Sequence, residues 1–155
     1  MPTPNFELVT ELQTLTRRDF DVASSAILQP FNANPLIDGE WLTLDANYQL
    51  IRGTGEGVDP NAFVVHSERG RYDTQAIGKA NVLMLGMYEA RTKVVDTTSL
   101  ALGSPLTVQD VTYQGATKRG LKLGGATSGR VIVGFVTKLN DGGYVRFVHF
   151  GNQKL

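Results

Sequence analysis

Two glycine-rich segments, Gly53-Thr-Gly-Glu-Gly57 and the run from Gly120 to Gly129, invite a test for phosphate chemistry, because backbone N–H groups freed by glycine can cradle an anion. Neither has the required spacing. A phosphate loop needs Gly-x4-Gly-Lys-Ser/Thr between a strand and a helix, and a dinucleotide fingerprint needs Gly-x-Gly-x-x-Gly at a helix start. The first segment instead runs into Val58-Asp59-Pro60, so both read as loops. His66 and His149 are far apart, and neither has a second ligand at a zinc-site spacing, so each reads as a structural residue near a strand end. Ser24, Ser25 and Ser67 have no Gly-x-Ser-x-Gly elbow around them, and cysteine is absent. Asp19 with Asp21, and Glu68 with Asp73, have the residue types for acid–base work or hard-cation binding. The competing reading makes them solvated turns or ion-pair partners of Arg17, Arg18, Arg69 and Arg71. No catalytic residue, metal or cofactor is expected.

The remaining chemistry is electrostatic. Arg69-Gly-Arg71-Tyr72 and Lys118-Arg119-Gly120-Leu121-Lys122 set bases beside glycine, which suggests a basic surface carrying Arg69, Arg71, Lys118 and Arg119. The chain is neutral overall, with 15 basic and 15 acidic residues, which argues against nucleic acid; an acidic protein surface is the favoured partner of these bases, in part because the N-terminal part of the chain is itself acidic. The charges are unevenly spread: residues 1 to 60 hold nine acids and three bases, a balance of −6, and the remainder carries +6. Either the N-terminal part lies on its own basic body or a neighbour's, or folding simply intermixes the two sets.

The elements that would position these groups are strands. Val131, Val133, Phe135 and Thr137 alternate with Ile132, Gly134, Val136 and Lys138, and Asn140-Asp141-Gly142-Gly143 supplies a hairpin turn before Tyr144 to Phe150. Apolar residues on both faces predict a central strand covered on both sides, with the rest of the chain packed around this hairpin. Trp41 to Leu44 and Tyr48 to Arg52 form a second hairpin, and further strands are expected at Phe63 to His66, Tyr72 to Ile77, Asn81 to Glu89, Thr92 to Val95 and Leu106 to Tyr113. Residues 1 to 35 are interrupted by Pro2, Pro4, Pro30 and Pro35 and read as an arm. Within it, Asn5 could cap a short helix carrying Leu8, Leu12 and Leu15 on one face. Phe6, Leu8, Val9, Phe20, Ile27 and Leu28 stud the arm and need a surface to cover them, which makes them the candidate contacts with a larger partner or a neighbouring copy. The prediction is an all-β protein, with a single β-barrel or β-sandwich body at residues 36–155 and an extended, mostly irregular N-terminal arm at residues 1–35.

At 155 residues the chain suits one domain that buries roughly 70% of its unfolded surface without staples. No apolar run approaches the roughly 20 residues of a membrane span, and Met1-Pro-Thr-Pro-Asn5 lacks the features of a signal peptide, so a soluble, non-secreted protein is expected.

Four phrases resemble tailed-bacteriophage capsid decoration, or cement, proteins: Pro35-Leu-Ile-Asp-Gly-Glu-Trp-Leu42, Glu68-Arg-Gly-Arg-Tyr-Asp-Thr-Gln-Ala-Ile-Gly-Lys79, Ala101-Leu-Gly-Ser-Pro-Leu-Thr-Val108 and Gly129-Arg-Val-Ile-Val-Gly-Phe-Val136. The resemblance runs from about residue 35 to the end. It implies a β-rich body on the outer surface of a phage head, made in the bacterial cytoplasm, where a homotrimer bridges and stabilises the major capsid protein without catalysis. Neither nucleic acid nor membrane is an expected partner. The alternatives are a head-to-tail connector or tail protein, and a glycan-binding β-sandwich using Trp41, Tyr72 or Tyr88 as a stacking platform.

Overall fold

The computed structural model describes residues 4–9, 16–29, 31–59, 61–66, 78–124 and 129–154. These residues form thirteen strands and a short 3-10 turn at Ser25–Leu28, with no α-helix among them. In chain order the strands are β1 (Phe6–Leu8), β2 (Thr16–Asp21), β3 (Trp41–Leu44), β4 (Leu50–Ile51), β5 (Ala62–Val64), β6 (Lys79–Leu85) and β7 (Tyr88–Thr92). They continue as β8 (Pro105–Tyr113), β9 (Ala116–Leu123), β10 (Val131–Ile132), β11 (Gly134–Asp141), β12 (Tyr144–His149) and β13 (Gln153–Lys154). The all-β prediction holds: a curled antiparallel sheet forms half of a barrel.

The larger sheet has the order β1-β7-β12-β11-β8-β9, so the β11–β12 hairpin lies at its centre. Gly142 and Gly143 both adopt positive φ, 64° and 90°, which is the conformation a tight two-residue hairpin turn demands and the reason this turn is readable from sequence. Coverage is one-sided, contrary to the prediction. Gly134 and Val136 are buried, but Phe135 is only half-buried and Thr137 to Asn140 face solvent. Register shifts after Val136 and Lys138 twist this end of β11 away from the core.

The other strands pair as β10-β13, as β4-β3-β5 and as β2-β6, and two bridges join the last two sets. Val65 bridges Val82, and Val22 bridges Leu50 in parallel with the Ala23 N–H donating to the Leu50 carbonyl at 3.0 Å. The result is a small five-stranded ring, β4-β3-β5-β6-β2, closed back on β4. Strand alternation then divides its residues between two cores. Trp41, Ala62, Val64 and Leu83 turn toward the six-stranded sheet, where Phe6, Leu106, Leu121, Val133 and Phe147 meet them. Leu42, Val65, Val82 and Leu50 turn into the ring, around Val22, Leu28 and Leu36. The hairpin therefore organises only the first core; the ring has its own.

The N-terminal residues are not a detached arm. β1 pairs with β7 through Phe6 opposite Thr92 and Leu8 opposite Ala90, and β2 pairs along β6 from Thr16 to Asp21. Residues 6–8 are thus a strand and not the start of a helix, because β7 satisfies their backbone groups. Leu12 and Leu15 lie outside the described residues, as does the predicted strand Tyr72 to Ile77.

His149 illustrates how the first core handles a polar side chain. Its Nδ1–H donates to the Val133 carbonyl at 2.5 Å, and its ring stacks on Tyr88 with centroids 4.8 Å apart and lies 5.9 Å from the Trp41 ring. Burial pushes its pKa below the ordinary 6.5, opposed in part by the carbonyl hydrogen bond. The unfolded chain therefore takes up a proton more readily than the folded one. The stability associated with a neutral His149 is fully present above pH 6.5 and is lost as pH falls through the lowered folded value. Urea midpoints are expected to fall between pH 7 and about pH 5, and less steeply in His149→Gln, which retains a donor for Val133 but does not titrate. Equal slopes would remove His149 from the account.

Candidate interaction surfaces

The two cores account for most of the apolar residues expected to touch a partner. Phe6 and Leu28 are buried, Leu8 packs on the first core, and Phe20 and Ile27 pack on the second. Only Val9, 43% exposed, stays open. The reason is the pairing of β1 and β2 with the body, which buries these side chains without any partner. The larger open apolar residues are Phe31, Met87, Leu102 and Phe150, at 85%, 66%, 69% and 48% exposure.

The expected basic surface is also corrected. Lys118 and Arg119 are 4% and 2% exposed, because Ala116–Leu123 is a strand bonded along its length to β8. Lys118 Nζ donates to the Pro35 carbonyl, and the Asn34 side chain donates to the Thr117 carbonyl at 2.7 Å, so this edge of β9 holds the segment leading to β3. Arg119 donates to Asp110 at 2.9 Å, to Asp59 at 3.0 Å and to the Gly55 carbonyl at 2.7 Å. The glycine-rich loop thus folds around a carboxylate of its own chain: a Cβ at Gly53 would lie 2.3 Å from Asp59 Oδ2, and one at Gly55 would lie 2.5 Å from Oδ1. Arg69 and Arg71 lie outside the described residues.

Folding intermixes the two halves of the charge distribution. Asp59 meets Arg119, Asp21 meets Lys79 at 2.9 Å, and Glu7 meets Arg91. Glu40 instead is a buried carboxylate gripped by its near neighbour Arg52 through two hydrogen bonds of 3.1 and 3.0 Å. On the outer face of the six-stranded sheet, register aligns Glu7, Arg91, Arg146 and Lys138 across four strands. Arg91 and Arg146 stand directly opposite, an unfavourable like-charge pairing that Asp141 relieves from 3.9 and 2.7 Å. The hydrogen bond from Arg146 accordingly holds the Asp141 carboxyl below its usual pKa. The adjoining row, Glu89, Val148, Phe135 and Pro105, is more apolar, and Phe150 lies 6.5 Å from Phe135 between ring centroids.

A groove occupies the open side of the ring. β2 reaches β4 only at the Val22–Leu50 bridge, and the space beside Arg18 to Asp21 has a volume of about 350 Å3. Phe20, Leu44 and Met84 supply its apolar lining, and Arg18, Asp19, Asp21, Lys79 and Tyr48 its polar one. Lys79 pairs with Asp21, and Asn81 donates to Asp19 at 2.7 Å. The Arg18 guanidinium lies over the Phe20 ring at 5.4 Å and makes no ion pair with a described residue. Tyr48 is 76% exposed and has φ of +58°, a left-handed conformation that costs an aromatic residue about 1–2 kcal/mol. Asp45 holds it there. Its Oδ1 accepts from Asn47 and Gln49 N–H, and its carbonyl accepts from the Tyr48 N–H at 3.1 Å.

Comparison with protein-family models, with curated proteins and with solved structures finds no match to this chain. Its surfaces must therefore be read from their own chemistry. Trp41 and Tyr88 are not stacking platforms, since both are packed in the first core, and Tyr72 lies outside the described residues. Tyr48 is the aromatic that sequence reasoning passed over. The Asp45-Ala-Asn-Tyr-Gln49 turn marks a loop, but the residue that takes the left-handed position is decided by how Asp45 caps it. No group of three or more His, Cys, Asp or Glu suited to a metal ion occurs among the described residues.

Proposed function

We propose that this protein is a structural component of a tailed-phage virion that decorates the outside of the capsid, bridging and stabilising major capsid subunits as a homotrimer. The observation that carries the reading is the spatial convergence of the phrases that resemble decoration proteins. Ala101 to Val108 and Gly129 to Val136 are distant in sequence, yet Leu106 pairs with Gly134 and Pro105 with Phe135. The Gly103 N–H also donates to the Val136 carbonyl at 2.8 Å, and the Val133 N–H to the Leu106 carbonyl at 2.9 Å. Trp41, from the phrase Pro35 to Leu42, packs in the same core. Residues of three of the four phrases thus meet in the first core; Leu36 and Leu42 of the first phrase lie in the second core, and residues 68–77 of the Glu68–Lys79 phrase lie outside the described residues. The open apolar residues Val9, Phe31, Met87, Leu102 and Phe150 are the contacts to test first.

The decisive measurement is copy number and position in purified particles. Hundreds of copies spread over the shell would support decoration. A single small ring at the vertex would instead make the protein a connector, and its absence from particles would overturn the virion reading.

A further inference from the structure

We propose that the groove on the open side of the five-stranded ring binds a neutral saccharide, with one sugar face laid against Tyr48. Three features of the groove carry this inference. The first is Tyr48 itself, an aromatic ring held in a strained backbone conformation by Asp45 and left 76% exposed, so its chain gains little burial from it. Strain that persists because its surroundings enforce it clusters at ligand sites, and a tyrosine with one wet edge suits a ligand with an apolar face and a polar rim.

The second is the mixture of polar groups. Arg18 and Lys79 donate while Asp19 and Asp21 accept, and their formal charges cancel. A charged ligand would meet a like charge in this arrangement. A hydroxyl both donates and accepts, so a ring of hydroxyls can use both kinds of partner at once. Arg18 brings a guanidinium without an ion pair among the described residues, and Asp21 brings a carboxylate 58% exposed beyond its bond to Lys79. The third is form. A volume of about 350 Å3 is at the small end of ligand sites and suits one or two sugar rings, and Phe20, Leu44 and Met84 can cover their C–H faces. The proposal is independent of the virion reading, since it rests on the ring and not on the outer sheet.

The test is titration of the isotopically labelled full chain, followed by NMR, with glucose, galactose, mannose, N-acetylglucosamine, maltose and cellobiose. At least one of these neutral sugars is expected to give saturable shifts at the amides of Arg18, Phe20 and Tyr48. Tyr48→Gly should weaken that binding about 10-fold, the loss of a stacking contact. The same variant relieves the left-handed strain, so its Tm should be unchanged or higher by up to about 3 °C, which separates loss of binding from loss of fold. Arg18→Met should also weaken binding. Saturable shifts from none of the six sugars would overturn the proposal, as would full binding by Tyr48→Gly. Tighter binding of glucuronate than of glucose would overturn it too, because it would make the groove an anion site centred on Arg18.

Discussion

Arg119→Met is expected to lower the unfolding free energy by about 3 kcal/mol, the cost of removing one partner from a buried ion pair. Urea denaturation with unchanged m-value is the measurement. The effect is large because Arg119 sits on β9 with its side chain 3% exposed and satisfies several groups from one guanidinium. Two of these, Asp59 and the Gly55 carbonyl, belong to the loop that the sequence presents as a flexible connector. Without the guanidinium, the Asp59 carboxylate, its side chain 17% exposed, loses its charged partner, and the loop loses one of its ties to the large sheet, the bond from the Gly57 N–H to the Val108 carbonyl remaining. The third partner, Asp110, is 61% exposed, so Asp110→Asn should cost less than about 1 kcal/mol, as for a surface pair. Adding Asp59→Asn to Arg119→Met should recover part of the loss, since it removes the uncompensated charge. A loss below about 1 kcal/mol for Arg119→Met would show that solvent replaces the guanidinium easily, and the loop would then not be fastened through this residue.

Trp41→Ala is expected to cost about 4 kcal/mol, as for a large aromatic removed from a packed core. Trp41 is 1% exposed on β3, the strand that forms the wall between the two cores. Its ring lies 6.3 Å from Phe147 and 5.9 Å from His149, so truncation opens space on the strand at the centre of the large sheet. Trp41→Phe should lose clearly less. It keeps an aromatic in place, and it removes an indole Nε1 donor that is buried without a hydrogen-bond partner. Thermal or urea unfolding of the two variants gives the comparison; equal losses would mean that the indole's outer ring carries the packing. If Trp41→Ala folded with near-native stability, the wall would be repacking around the gap, and Trp41 would again be open to a role in binding.

The charge asymmetry along the chain has a similar resolution. It does not mark an acidic arm reaching for a separate basic body, because Glu7, Asp21 and Asp59 close on Arg91, Lys79 and Arg119 of the same chain. These pairs stitch the N-terminal strands to the rest of the fold. The surface left for a partner is consequently less charged than the sequence suggests, and its most prominent residues are single exposed apolar side chains and the groove at Tyr48.

What the sequence determined by itself was whatever depends on neighbours along the chain. Alternation of β-branched and aromatic residues specified the all-β class and the β11–β12 hairpin, and the glycine pair at 142 and 143 specified its turn, because positive φ is a local demand. The tertiary structure decided which of the other residues are inside. Thr16-Arg-Arg-Asp-Phe-Asp21 reads as part of an irregular arm, yet it is a strand because β6 offers it a paired edge; Lys118-Arg-Gly-Leu-Lys122 reads as basic surface, yet Lys118 and Arg119 are buried on a strand paired with β8. Burial of Arg119 depends on Asp59, 60 residues away, and no local pattern encodes the meeting of those two groups. Burying a charge is costly unless a partner is already in place. The partner's position is a property of the closed ring and the large sheet together, so only the folded chain could settle it.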